Sequence, residues 1–242
     1  FKGNVDLKKL AALVARVGAK RIPYISVGAP VNLAGGQPVS LENLDAVAGF
    51  CRPKKIRVVL DAARAVENAF MIQEREAACR SWSVAKILRE MCARTDACTF
   101  SAKKDAYVNI GGMLAANDED LYEKAMTLCV VYEGLHTYGG MAGRDLEAMA
   151  VGIREMVQDE WIAHRVAQVR ALGAALEAFG VPIVKPIGGH GVFLDAKAFL
   201  PHLSQDELPA QALAAWIYVE CGVRAMERGI VSAGRGADGR AH

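Results

Sequence analysis

The side chains best equipped for chemistry are two adjacent lysines in the stretch Thr99-Phe100-Ser101-Ala102-Lys103-Lys104-Asp105. The apolar pair Ala97-Cys98 before them reads as the end of a strand, and Gly111-Gly112 closes a second run after them. A lysine amine at the mouth of a sheet can form a Schiff base with an aldehyde, provided burial or a neighbouring cation keeps part of it deprotonated. Lys103 supplies that cation to Lys104, and the Ser101 hydroxyl, three residues earlier, could hold a phosphate. The competing reading is a solvated loop with two surface lysines, because short motifs match often by accident.

Pyridoxal phosphate, an aldehyde cofactor, asks three things of a protein: an amine for its aldehyde, an acid for its ring nitrogen, and donors for its phosphate and phenolic oxygen. Asp61 ends an apolar strand over 56–60 and stands 43 residues before Lys104, suitably placed to be the acid. Arg64 and the amide of Asn32 could donate to the phenolic oxygen. Each has a mundane alternative. Asp61 could cap a helix, Arg64 could form a surface ion pair, and Asn32 could be a turn residue before Gly35-Gly36. A dinucleotide site fares worse, since no G-x-G-x-x-G follows the first strand and no P-loop is present.

The elements that must position these groups follow from periodicity. A helical stripe of Leu7, Leu10, Leu13, Val14 and Val17 follows Asp6 as N-cap and stops at Gly18. Strands are expected over 23–27 and 56–60, and helices over 41–50 (capped by Ser40), 66–78, 83–93 and 118–128. The glycine-rich stretch 133–140 reads as loop. From 144 to 179 the helical period continues, bent near Asp159, and Trp161 and Trp216 fit core faces. Strands alternating with helices imply an α/β fold, a mostly parallel sheet with helices on both faces. In such sheets ligands sit beyond the carboxyl ends of the strands, where Asn32, Asp61 with Arg64, and Ser101 with Lys104 fall. The expected division is a large domain over 1–142, a linking helix over 143–180 and a smaller α+β lobe over 181–242.

Composition narrows the classes. Lys plus Arg number 29 against 27 for Asp plus Glu, a formal charge of +2, which lacks the basic excess of an electrostatic nucleic-acid binder. Apolar residues make up 52%, enough for a sizeable core. The six cysteines include no Cys-x-x-Cys pair, which points to a reducing, cytoplasmic setting rather than to zinc or a disulfide framework. No apolar run approaches the ~18 residues of a membrane span. The chain starts at Phe1 and trails off in loop residues after Gly234, so a fragment of a longer protein is expected.

Several stretches taken together resemble one family over essentially the whole chain. Val31-Asn32-Leu33-Ala34-Gly35-Gly36-Gln37-Pro38-Val39-Ser40, Val66-Glu67-Asn68-Ala69, Ser101-Ala102-Lys103-Lys104-Asp105, Tyr138-Gly139-Gly140 and Met226-Glu227-Arg228-Gly229 are similar to the β-eliminating lyases of the pyridoxal-phosphate enzymes. The resemblance implies the aspartate-aminotransferase-like fold, type I. It makes Lys104 the Schiff-base lysine and Asp61 the partner of the pyridine nitrogen. Arg64 and Asn32 then address the phenolic oxygen, and Ser101 and Lys103 the phosphate. It further implies a potassium ion near Asn109, a homotetramer, and an aromatic amino-acid substrate. In the branch of the family that releases phenol from L-tyrosine, an arginine equivalent to Arg228, beside Met226, faces the phenolic hydroxyl. In the branch that releases indole from L-tryptophan the equivalent residue is aliphatic. A buried guanidinium without an acceptor is costly, so Arg228 favours the phenolic substrate. Ala102 and Thr137 look more like the indole branch. The early glycine-rich phosphate loop and the late carboxylate-binding arginine of the family are absent from the sequence, so an inactive fragment is the further alternative.

Overall fold

A computed structural model describes residues 1–227. The chain divides into two compact units, Phe1–Ala167 and a second beginning at Gln168. The first unit is built on a four-stranded sheet in the order β1 (Tyr24–Gly28), β2 (Arg57–Asp61), β3 (Ala97–Ser101) and β4 (Gly112–Ala116). β1, β2 and β3 run parallel, and β4 is antiparallel to β3. The last reversal has a simple cause. Only residues 102–111 join β3 to β4, whereas a parallel crossover needs about a dozen or more residues.

The helices form where the apolar stripes predict. Asp6 caps α1 (Leu7–Val17) by accepting from the amides of Lys8 and Lys9 at 3.0 Å each. Ser40 caps α2 (Leu41–Cys51) through the Asn43 amide at 3.1 Å. The helix expected over 66–78 is α3 (Ala65–Arg75), followed by a short 3-10 turn at Ala77–Cys79. With α4 (Val84–Ala93), these helices supply Leu44, Val47, Ile72, Ile87 and Met91 to a core shared with Val27, Val58 and Leu60 of the sheet. Asn68 fastens α3 to the segment before α2 in both directions. Its side chain accepts from the Val39 amide and donates to the Val39 carbonyl, each at 2.9 Å.

After β3 the expected loop around the lysines is instead a single helical turn, α5 (Ala102–Asp105). α6 (Glu119–Tyr132) runs four residues beyond its expected end at 128. The long helical stretch is two helices, α7 (Gly143–Glu155) and α8 (Asp159–Ala178). Asp159 explains the break: its two oxygens accept from the Val84 amide at the start of α4 (3.1 Å) and from the Gln73 side chain (2.8 Å). α7 presses on α5 so closely that a β-carbon on Gly152 would overlap the Ala106 carbonyl. The start of α8 contributes Ile162 and Val166 to the core. The boundary between the two units falls inside α8.

In the second unit, Gly173 packs against Ile187, and α9 (Ala196–Phe199) and α10 (Pro209–Cys221) follow. The α+β character expected there reduces, among the described residues, to one antiparallel bridge between Ile183 and Leu194. Trp161 and Trp216, expected in the core, are both about half exposed, at 54%. His190 meets Phe193 edge-on at 5.9 Å. No described helix is long and apolar enough to cross a membrane.

Candidate active site at the ends of three strands

Gly28, Asp61 and Thr99 lie in line across β1, β2 and β3. The ladder continues one step further, with the Ala29 amide donating to the Asp61 carbonyl (3.0 Å) and the Ala62 amide to that of Thr99 (2.8 Å). The segments bearing Asn32, Arg64 and Lys104 therefore leave the sheet at the same end, the carboxyl end of three adjacent parallel strands.

The segment after β1 is a loop closed by an antiparallel bridge between Val31 and Gln37. Gly35 and Gly36 turn it with φ of +84° and +69°, a region that side-chain-bearing residues rarely adopt. Asn32 starts a 3-10 turn in this loop, and its Oδ1 is buried without a hydrogen-bond partner among the described residues. Leaving such an atom unmet costs on the order of 1–3 kcal/mol.

Asp61 is exposed at the tip of β2. Its Oδ1 accepts from the Ala63 amide at 3.1 Å, a local turn contact, and it does not cap α3. That duty falls to Asp105, whose Oδ2 accepts from the Val66 amide at 2.9 Å. Arg64, at the N-cap position of α3, is half-buried. On α5, Ala102 and Asp105 point into the protein while Lys103 is exposed and Lys104 half-buried. Ser101, the last residue of β3, is also half-buried. The charged heads of Arg64, Lys103 and Lys104 make no hydrogen bond or ion pair with any described residue. Arg57 and Arg94, by contrast, are paired, with Asp118 (2.8 Å) and Glu90 (2.6 Å).

Three side chains behind Lys104 are absent from the sequence-based candidates. Asp105 and Glu67 are fully buried, and Arg165 of α8 approaches both, at 2.8 and 3.7 Å. Burial pushes the Asp105 carboxyl up, while Arg165 and the Val66 amide pull the other way. One signal was available. Glu67 lies between Val66 and Ala69 on the apolar face of α3, and charges are almost never fully buried unless paired. Its partner, 98 residues away in Arg165, has no local signature.

The remaining sequence candidates are Asn109, Met226 and Arg228. Asn109 is exposed in the connection before β4, and the described residues hold no group of three His, Cys, Asp or Glu side chains suited to a metal ion. Met226 is exposed in the second unit, lining a groove of about 600 Å³ with Gln211, Tyr218 and Arg224. Arg228 lies outside the described residues.

The donor set at the strand ends fits pyridoxal phosphate. Three cations without counter-charges among the described residues can meet a phosphate, a phenolic oxygen and an aldehyde; a carboxylate at a neighbouring strand end can meet the ring nitrogen. The Asn32 amide can turn either its donor or its acceptor end to a ligand.

Residues 2–241 match the sequence model of the family described as beta-eliminating lyase. A tyrosine phenol-lyase of Nostoc punctiforme is 64% identical over 97% of this chain and 50% of its own length. One from Pasteurella multocida is 59% identical over 97% of this chain and 51% of its own. The chain thus spans about half the length of the curated relatives it matches. Among solved structures, a threonine aldolase of Leishmania major superposes with a TM-score of 0.57 at 18% identity, covering 76% of this chain and 50% of that one. At that identity the likeness concerns the fold alone.

Proposed function

This chain belongs to the β-eliminating lyase family, and we propose that it forms part of a pyridoxal-phosphate-dependent carbon–carbon lyase that, with the uptake of one water, splits L-tyrosine into phenol, pyruvate and ammonia. The observation that carries the reading is the set of unpartnered charges at one end of β1, β2 and β3, in a chain 64% identical to a tyrosine phenol-lyase. Lys104 would link to the cofactor's aldehyde, and Asp61 would keep its ring nitrogen protonated. Arg64 and Asn32 would hold its phenolic oxygen, and Ser101 and Lys103 its phosphate. When bound, the cofactor supplies an electron sink for the pair left at the substrate's α-carbon.

The chain's own residues would then divide the remaining work. The Lys104 amine would accept the α-proton as general base. Arg228 holds the phenolic hydroxyl while the ring carbon bearing the side chain gains a proton, after which phenol departs. Met226, two residues before it, lines the same substrate contact. A potassium ion near Asn109, a homotetramer and a cytoplasmic setting belong to the same reading, supported by the family membership.

Product analysis tests it. The chain, supplied with pyridoxal phosphate, is incubated with L-tyrosine and, separately, with L-tryptophan. Phenol and pyruvate in equal amounts, with little indole, is the expected result. Indole released as fast as phenol moves the assignment to tryptophanase. Cofactor binding without either product makes the chain an inactive part of such an enzyme.

A further inference from the structure

Behind Lys104 stands a charge cluster to which the proposed reaction gives no task. Arg165 Nη2 donates to Asp105 Oδ1 at 2.8 Å and lies 3.7 Å from Glu67 Oε2, while its Nη1 donates to the Lys104 carbonyl at 3.3 Å. The other Asp105 oxygen accepts from the Val66 amide, two residues after Arg64. One guanidinium therefore grips the peptide of Lys104 and the side chain of the next residue, and through that side chain the first turn of α3. Apolar residues would fill this volume at lower desolvation cost; what buried charges add is direction. The direction here runs from the turn carrying one unpartnered cation to the turn carrying another.

We propose that Arg165, together with Asp105 and Glu67, is a positioning residue for Lys104, holding the α5 turn in register with the start of α3 so that the Lys104 amine and the Arg64 guanidinium meet one ligand. The proposal rests on the reading of Lys104 as the cofactor-linking lysine.

Covalent trapping separates the two. The 242-residue chain is incubated with pyridoxal phosphate, reduced with borohydride and digested, and modification is quantified by mass spectrometry at Lys104 and at the exposed Lys20 as internal control. Arg165→Met is expected to lower the Lys104-to-Lys20 rate ratio about tenfold, as small misplacements of a reacting group do. Arg165→Lys, which keeps the charge without the fork, restores part of it. Circular dichroism establishes that each variant is folded. An unchanged ratio in folded Arg165→Met overturns the proposal and leaves the reading of Lys104 standing. No preference for Lys104 in the unsubstituted chain overturns that reading, and the proposal with it. Should Arg165→Met unfold, Asp105→Asn replaces it, since the amide keeps the shape while weakening the grip; an unchanged ratio there overturns the proposal equally.

Discussion

On one flank of the sheet, β2 buries Val58 and Leu60 in a core built with α2, α3 and α4. On the other, β4 leaves four of its five residues exposed, and α6 buries none of its fourteen. The backbone ladder is equally regular on both sides, with five rungs between β1 and β2 and five between β3 and β4. Hydrogen bonding alone therefore does not distinguish the flanks; apolar burial does, and it supplies most of the stability. Lys104 sits on the join, after β3 and before β4. Its turn is held from the packed flank by side-chain contacts, Asp105 with Val66 of α3 and with Arg165 of α8, and from the other by the Ala102 amide donating to the Gly111 carbonyl beside β4 (3.1 Å).

Substitutions on either flank can break that contrast. Leu60→Ala, at a fully buried site in β2, is expected to destabilise the chain by about 3 kcal/mol, transfer and cavity costs together. Urea unfolding measures it; a cost below about 1 kcal/mol, short of the ~2–5 kcal/mol usual for Leu→Ala in a core, would mean that this flank is not the stable one. Gly152→Ala comes next. Its β-carbon would meet the Ala106 carbonyl, so α7 must shift off α5, at about 2 kcal/mol. Because α5 carries Lys104, the same variant should slow covalent trapping at that lysine. Smallest is Val131→Ala on the open face of α6, where the residue is 66% exposed and the expected change lies within about 0.5 kcal/mol. A loss there as large as that of Leu60→Ala would show that α6 is covered, and the contrast would fail.

Legibility in the sequence divides in the same way, between local and distant causes. Asp6 and Ser40 are caps because the amides they serve lie two or three residues on, within the reach of any sequence pattern. The strands over 24–28 and 57–61 announce themselves by their apolar runs and by the polar turn residues that succeed them. The starts of α3 and α4 were legible to within one residue, but the distant groups that meet the Val66 and Val84 amides, Asp105 and Asp159, 39 and 75 residues away, were not. For the same reason Asp61 looked like a helix cap in sequence, although a distant aspartate takes that place. The candidate site was legible as residue types at the ends of predicted strands. The helical turn that presents Lys104, and the buried Glu67–Arg165–Asp105 cluster beneath it, were not. The helical turn at 102–105 depends on contacts that no short window contains. Trp161 shows the opposite error: helical period alone put it in the core, yet it lies half exposed beside Tyr107, ring centroids 6.3 Å apart.

The central claim is that Lys104 and Asp61, at the ends of neighbouring strands, act on one ring. Induced circular dichroism of added pyridoxal phosphate tests it most directly, because free cofactor is achiral and gives none. The account predicts a visible band with the unsubstituted chain, its loss in Lys104→Ala, and its shift in Asp61→Asn as the ring nitrogen loses its acid. A band that survives Lys104→Ala unchanged, or that ignores Asp61→Asn, would contradict it.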